Sequence, residues 1–278
     1  MHKFVLCGLL CGCLLQTAAQ PYVDPLQLRY LRGFHAPATA SRATPYSHFV
    51  IGSDLPLSIG HGSYFLVSPY AEFWSFDSAT RTSSIPAVKG LVLPLGLLLR
   101  LSKKLSWIVN LQARSQGETL FADNSWQLGV ATLASIQAGP DKKWRMGVYV
   151  SGEFFGLFIM PLVGADWKID ERNYLFGVLP GRLTWEHKYS NHFFAGTSFR
   201  AITSSYRLDD GRYLRIDDNR LSVYADWYPV KSICLTLEPG FGLLRQLRTG
   251  REHRVYAAND NWGDGLFIQL SAAYRIRL

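Results

Sequence analysis

The sequence predicts an all-β protein, an antiparallel transmembrane β-barrel of about twelve strands (roughly 10 to 14) behind an export signal. Three observations predict it. Segment after segment alternates apolar and polar residues over ten or more positions. Nothing after residue 20 offers the run of about 18 apolar residues that a spanning helix needs. The charges gather on the face opposite the apolar one, where a soluble core could not tolerate them unpaired.

The last segment shows the pattern most fully. Leu266, Ile268, Leu270, Ala272, Tyr274, Ile276 and Leu278 share one face, and Gln269, Ser271, Arg275 and Arg277 share the other. A period of two is a strand, and soluble strands average about five or six residues. Leu278 takes the place of the terminal Phe expected of such barrels, so it is a weaker assembly signal. The upstream alternation carries equal weight.

From the N-terminus, Lys3, the apolar run Phe4 to Leu15 and the small residues Thr17-Ala18-Ala19 read as a secretory signal over residues 1–19. Leu10-Cys11-Gly12-Cys13 faintly resembles a lipoprotein box, but the cut after Ala19 is the cleaner one. Three of the four cysteines lie in the signal, which leaves Cys234 and no internal disulfide. Residues 20–45 form an N-terminal arm or a first strand, with Leu26, Leu28 and Tyr30 alternating; residues 46–278 form the barrel.

His48 to Ile59 and Tyr64 to Phe76 flank the tight turn Gly60-His61-Gly62-Ser63. Ala87 to Leu101 and Leu105 to Arg114 flank Ser102-Lys103-Lys104. Trp126 to Ala138 turns at Gly139-Pro140-Asp141. The segments from Trp144, Leu157 to Trp167, Tyr174 to Glu186, and His192 to Tyr206 follow. Strands around Leu221 and Ile233, and a loop from Arg245 to Trp262, lead to the last strand. Trp107, Trp126, Trp144, Trp167, Trp185 and Trp227 fall near strand ends, as an interfacial aromatic belt requires. The parity does not close. Counted from the N-terminus, Tyr189-Ser190-Asn191 is extracellular; counted from the C-terminus, it is periplasmic. A connection between Trp144 and His192 is therefore misplaced, with Phe154-Phe155-Gly156 and Pro180-Gly181 the suspects.

The stretch Pro161 to Glu186 (PLVGADWKIDERNYLFGVLPGRLTWE) resembles a family of uncharacterised outer-membrane β-barrel proteins of Gram-negative bacteria, known as a domain of unknown function. The resemblance is strongest from Trp144 to Tyr228. It implies a barrel fold and an outer-membrane location, and brings no ligand or catalytic residue.

The inner face, in this reading the lumen lining, carries Arg114, Arg145, Glu153, Asp166, Arg182, Glu186, Arg200, Asp226, Glu238 and Arg275. The net charge of +8 is not clustered with nucleic-acid-binding motifs. Arg245, Arg248, Arg251 and Arg254 recur every three residues. They form either a patch for lipopolysaccharide phosphates or an anionic solute, or a solvated loop. Asp209-Asp210 and Asp217-Asp218-Asn219 read as a salt-bridged hairpin rather than a calcium loop. No phosphate loop, HExxH, GxSxG or mature CxxC is present, so no cofactor or metal is expected.

Two functions compete. One is a non-enzymatic barrel, either a narrow passive channel for a small solute or a structural envelope protein. The other is a lipid-modifying enzyme with a rim site near Glu186, His187, Ser190 and His192. The expected partners are outer-membrane lipid and lipopolysaccharide, with the barrel-assembly machinery during insertion.

Overall fold

The structure is a computed structural model and describes residues 21–34, 45–77, 86–252, 255–260 and 263–278. The export signal and Arg254 lie outside these residues. Seventeen strand segments make one sheet: β1 (Tyr22–Gly33), β2 (Tyr46–Gly52), β3 (Leu55–Gly60), β4 (Ser63–Val67), β5 (Tyr70–Phe76), β6 (Val88–Arg100), β7 (Leu105–Gly117), β8 (Trp126–Gly139), β9 (Lys142–Glu153), β10 (Gly156–Lys168), β11 (Asn173–Leu179), β12 (Arg182–Lys188), β13 (Phe193–Arg207), β14 (Tyr213–Val230), β15 (Ile233–Glu252), β16 (Val255–Asp260) and β17 (Gly265–Arg277). The segments β2 and β3 are one interrupted strand, as are β4 and β5. β16 and β17 likewise pair antiparallel with the upper and lower parts of β15 and count as one strand position. The sheet closes on itself as β17 pairs with β1 from Tyr22↔Arg277 to Gly33↔Phe267, giving a closed antiparallel barrel of 14 strands.

This is two more than about twelve. The N-terminal arm is a full strand, paired on both sides. The segment from Tyr174 to Glu186 is two strands, turned at Pro180-Gly181. The start of β1, the end of β17, and the turns at 61–62, 101–104, 140–141, 169–172, 189–192 and 231–232 therefore sit at one end of the barrel, here the terminal end. Tyr189-Ser190-Asn191 lies there, as the count from the C-terminus has it. The strand ends at the opposite, distal end are joined through longer stretches of sequence, among them those between Gly33 and Tyr46 and between Phe76 and Val88.

Local chemistry fixes the turns. His61 and Gly62 both have positive φ, 52° and 73°, which is the backbone of a two-residue hairpin whose twist matches its strands. In the β10–β11 turn, Asp170 accepts from the backbone N–H of Arg172 at 2.7 Å and from Asn173. Those bonds, the Arg172 N–H first, hold its carboxyl below the usual range.

The outward positions are apolar in strand after strand: Leu91 and Leu93 on β6, Val109 and Leu111 on β7, Leu157 and Ile159 on β10, Leu221 and Val223 on β14. A 13-residue strand such as β6, at about 3.3 Å per residue and about 45° tilt, spans roughly 30 Å, the thickness of a bilayer's hydrocarbon. Trp107, Trp144, Trp185 and Trp227 are exposed and Trp167 is half-buried, all toward the terminal end, where Lys142 sits over the Trp144 and Trp167 rings. Trp126 marks the distal end. No helix among the described residues is long and apolar enough to cross a membrane.

A charge placed on this outer face separates a membrane-spanning wall from a hydrated one. Leu111, 45% exposed on the outside of β7, is expected to cost about 2–4 kcal/mol when changed to Arg in a bilayer. Reversible urea unfolding in phospholipid vesicles would measure it. A cost near zero would contradict the lipid-facing assignment.

Candidate functional site: the lumen and its inward hairpin

Alternation that turns apolar side chains outward turns the intervening polar ones inward, so the lumen inherits the charges. Arg114, Arg145, Glu153, Asp166, Arg182, Glu186, Arg200, Asp226, Glu238 and Arg275 all point into it. They divide into three groups.

At the terminal end Arg275 of β17 makes a two-pronged bond to Asp24 of β1, at 2.6 and 2.8 Å, and reaches Asp226 of β14 at 2.5 Å. Its guanidinium lies 3.7 Å over the Tyr22 ring. Arg277 donates to both oxygens of Glu186, at 2.7 and 3.2 Å, and Tyr224 donates to the same carboxylate. The Arg275–Asp24 bonds cross the seam where the first and last strands meet, and the Arg277–Glu186 bonds tie β17 to β12 across the lumen.

The second group lies nearer the distal end. Arg114 pairs with Glu153 at 2.6 Å, and Ser151 donates to that carboxylate at 2.8 Å. Asp218 accepts from Arg220 at 2.7 Å, Arg245 at 2.9 Å and Tyr46 at 3.2 Å. Glu72 meets His48 at 3.1 Å. Apart from this group, toward the terminal end, Arg145 of β9 reaches Asp166 of β10 at 3.6 Å.

The main feature of the distal half is the β13–β14 hairpin, which folds across the lumen. The β11–β12 hairpin is only seven residues on each side and stops at Arg182↔Arg200, so β13 loses its β12 neighbour beyond Ala201. Its tip instead bridges β7 on the far wall, Arg207 opposite Gly117, with Glu118 N–H donating to Arg207 C=O at 2.9 Å. One face of the hairpin (Tyr206, Leu208, Leu214 and Ile216) packs on inner-wall residues Leu31, Tyr46, Trp74, Phe76, Val88 and Phe267. Tyr206 Oη also donates to Glu72 at 2.7 Å. From the other face Ser205 donates to Glu153 at 2.7 Å and accepts from Gln127 and Phe154 N–H. Arg207 and Arg215 lie over the Phe154 and Phe155 rings at 4.4 and 4.2 Å. Both faces of the tip are buried. A strand inside a lumen has no solvent side, which is why Ser204, Ser205 and Tyr206 are all enclosed.

The third group leaves space. A cavity of about 30 Å³ lies among Asp24, Arg29, Arg182, Arg200, Glu238 and Arg275. A second pocket, about 100 Å³, opens at the terminal mouth beside Arg100, Lys103, Lys104 and Lys143, with no acidic residue in its lining.

One expectation is corrected by this arrangement, and a second, the salt-bridged hairpin, is met. The segment from Arg245 is strand through Glu252, not loop. A spacing of three on a period of two throws successive arginines onto opposite faces. Arg245 is 2% exposed inside the barrel, Arg248 reaches Asp217 at 3.3 Å, and Arg251 is exposed. These three form no single patch. The Asp209 to Asn219 segment does carry ion pairs, Arg212–Asp210 and Arg215–Asp217. It is part of the hairpin folded into the mouth, and among the described residues no acidic, His or Cys cluster is arranged for a metal.

At the proposed enzyme rim, Glu186 points inward to Arg277, while His187 on the opposite face bonds Asn173 Oδ1 at 2.8 Å. His192 Nδ1 is 3.1 Å from Tyr228 C=O, and Ser190 Oγ accepts from the His192 backbone. Glu186 and His187 do not meet. Cys234 is buried with Phe194, Tyr228 and Ala273.

Sequence reading missed Arg29, His48, Glu72, Asp218 and Tyr206. Arg29 was accessible, since it alternates with the outward Leu28 and Tyr30. The others gain their roles only from the inward hairpin.

No family model and no curated protein matches the chain. Among solved structures it is similar to an outer-membrane channel from Pseudomonas putida F1 (TM-score 0.48, 9% identity, 91% of this chain and 96% of that one). It is also similar to the NanC porin (TM-score 0.44, 10% identity, 90% and 100%). A third likeness is to the Pseudomonas putida toluene transporter TodX (TM-score 0.33, 9% identity, 91% and 88%). At these values the likeness goes no further than barrel architecture. The assignment of the fold rests on the cyclic strand pairing.

The buried triad makes a sharp stability prediction. Arg275→Gln leaves buried Asp24 without its cation and Asp226 with only the more distant Arg277, at 3.9 Å, and is expected to cost about 3–5 kcal/mol. Arg32→Gln, whose pair with Asp77 is largely exposed, should cost at most about 1 kcal/mol. Urea unfolding of the two variants side by side gives the comparison.

Proposed function

We propose that the protein is a non-enzymatic bacterial outer-membrane barrel that acts as a restricted passive channel, exported through its N-terminal signal. The terminal end faces the periplasm, because short turns gather there and the longer connections at the other end. Lipopolysaccharide and outer-membrane lipid surround the wall, with exposed Arg251 at the distal, extracellular rim. Insertion would use the barrel-assembly machinery.

The observation that carries the channel reading is the unequal filling of the lumen. The distal half is packed by the β13–β14 hairpin, while polar cavities remain lower down beside Arg200 and Lys143. A barrel built only for stability gains nothing from leaving basic groups around unfilled space. The filled distal half favours the second reading, a structural envelope protein.

Planar-bilayer conductance separates the two. The full chain is expected to conduct in small steps or not at all. Replacing residues 205–215 by an Asn-Gly turn, which keeps the Ser204↔Ile216 register, is expected to raise single-channel conductance severalfold. If the shortened protein inserts with its heat-modifiable gel mobility intact and stays silent, the channel reading fails and the structural one stands.

A further inference from the structure

The row of arginines beside the lower cavity is out of balance with the rest of the lumen. Arg182 on β12 is directly opposite Arg200 on β13, and Arg200 is directly opposite Arg220 on β14. Three guanidiniums thus stand side by side on adjacent strands, and like charges in directly opposed positions destabilise a sheet. Arg220 is neutralised by Asp218. Arg182 and Arg200 have no ion pair among the described residues. Arg182 Nε donates only to the hydroxyls of Thr184 and Ser198, at 3.1 and 3.4 Å, and Arg200 has no hydrogen-bond partner there. Arg29, across the cavity on β1, has a buried Nε without a partner.

Of the carboxylates nearby, Asp24 and Asp226 share Arg275, and Glu238 accepts only from the neutral Ser222 and Gln269, each at 2.6 Å, so its single charge faces the three cations Arg29, Arg182 and Arg200 and leaves a surplus of positive charge. Elsewhere in the lumen Arg114, Arg245 and Arg277 each have a carboxylate. Around this cavity, among the described residues, buried guanidiniums outnumber the carboxylates, and space remains beside them. A cavity of about 30 Å³ holds roughly two or three waters, or one small ion in their place. Guanidinium matches the planar or tetrahedral oxygens of carboxylate and phosphate.

We propose that Arg29, Arg182 and Arg200 form a binding site for one small oxyanion, a carboxylate or phosphate-type group. The basic pocket at the terminal mouth, with Arg100, Lys103, Lys104 and Lys143, draws the same charge toward the lumen. The inference deepens the channel reading and rests on it for the ion's route; binding itself is measured separately.

The test uses the full-length mature barrel in detergent micelles and reads the temperature at which the folded, heat-modifiable gel band is lost. Inorganic phosphate and acetate are compared with chloride at equal ionic strength. A ligand that binds only the folded state raises this temperature. The expected result is an upward shift with phosphate or acetate over chloride. The shift should be lost in Arg182→Gln/Arg200→Gln and partly kept in Arg200→Lys. Without added oxyanion the Gln double variant should melt no lower than wild type, because it removes opposed charges. An equal midpoint in all three salts for wild type, or a full shift in the Gln variant, overturns the site; the wild-type comparison decides alone if the variants do not fold. In bilayers under a potassium chloride gradient, the hairpin-shortened protein should favour chloride, and the Gln changes should reduce that preference. A silent shortened protein with an intact phosphate shift sinks the channel reading and keeps the site; conductance without any shift does the reverse.

Discussion

The closure of the sheet between β1 and β17 is the constraint from which the remaining structure follows. In hydrocarbon an unpaired backbone edge costs several kcal/mol per group, so a spanning sheet must have no open edge. Closing it antiparallel requires an even number of strands, puts both chain ends together, and leaves only two directions for side chains. Outward positions meet lipid and become Leu, Val, Ile and Trp. Inward positions then hold nearly all the polarity, and each charge must find a partner across the lumen. The Arg275–Asp24–Asp226 cluster meets that demand at the seam itself, joining β17, β1 and β14.

A barrel of 14 strands encloses more volume than its own inward side chains fill. The chain fills the surplus unevenly. The upper part of β13 and β14 supplies a two-faced hairpin, with Leu208, Leu214 and Ile216 against one wall and Ser205, Arg207 and Arg215 against the other. It is free to do so because the β11–β12 hairpin ends early. The short wall and the inward fold are therefore one feature. Lower down no such element enters, and Arg29, Arg182 and Arg200 line what is left.

Much of this was legible in the sequence. The alternation from Leu105 to Arg114 and from Gly265 to Leu278 gave strand, face and inward charge directly, because one residue's direction fixes its neighbours'. The strand count was not legible from Tyr174 to Glu186 for a specific reason. Val178 pairs with Arg182 across the turn, an even separation, so the inward residues 174, 176, 178, 182, 184 and 186 keep step as if the strand never turned. At Gly60↔Ser63, an odd separation, the phase breaks and the turn announces itself. The fate of the charged segment from Asp209 to Arg220 was also hidden. Its composition suits a hydrated loop, and only the missing upper half of β12 shows where it goes.

The ladder between β13 and β14 is unbroken from Phe193↔Trp227 at the terminal rim to Arg207↔Tyr213 at the tip. Mechanically the hairpin is a beam rooted in the membrane-embedded wall and propped at its tip on β7, and not a flap on a loose tether. A force applied to its tip travels along paired backbone into the lipid-anchored rim. Displacing it bends a beam, and the stiffness of that beam is set by the wall's own hydrogen bonds.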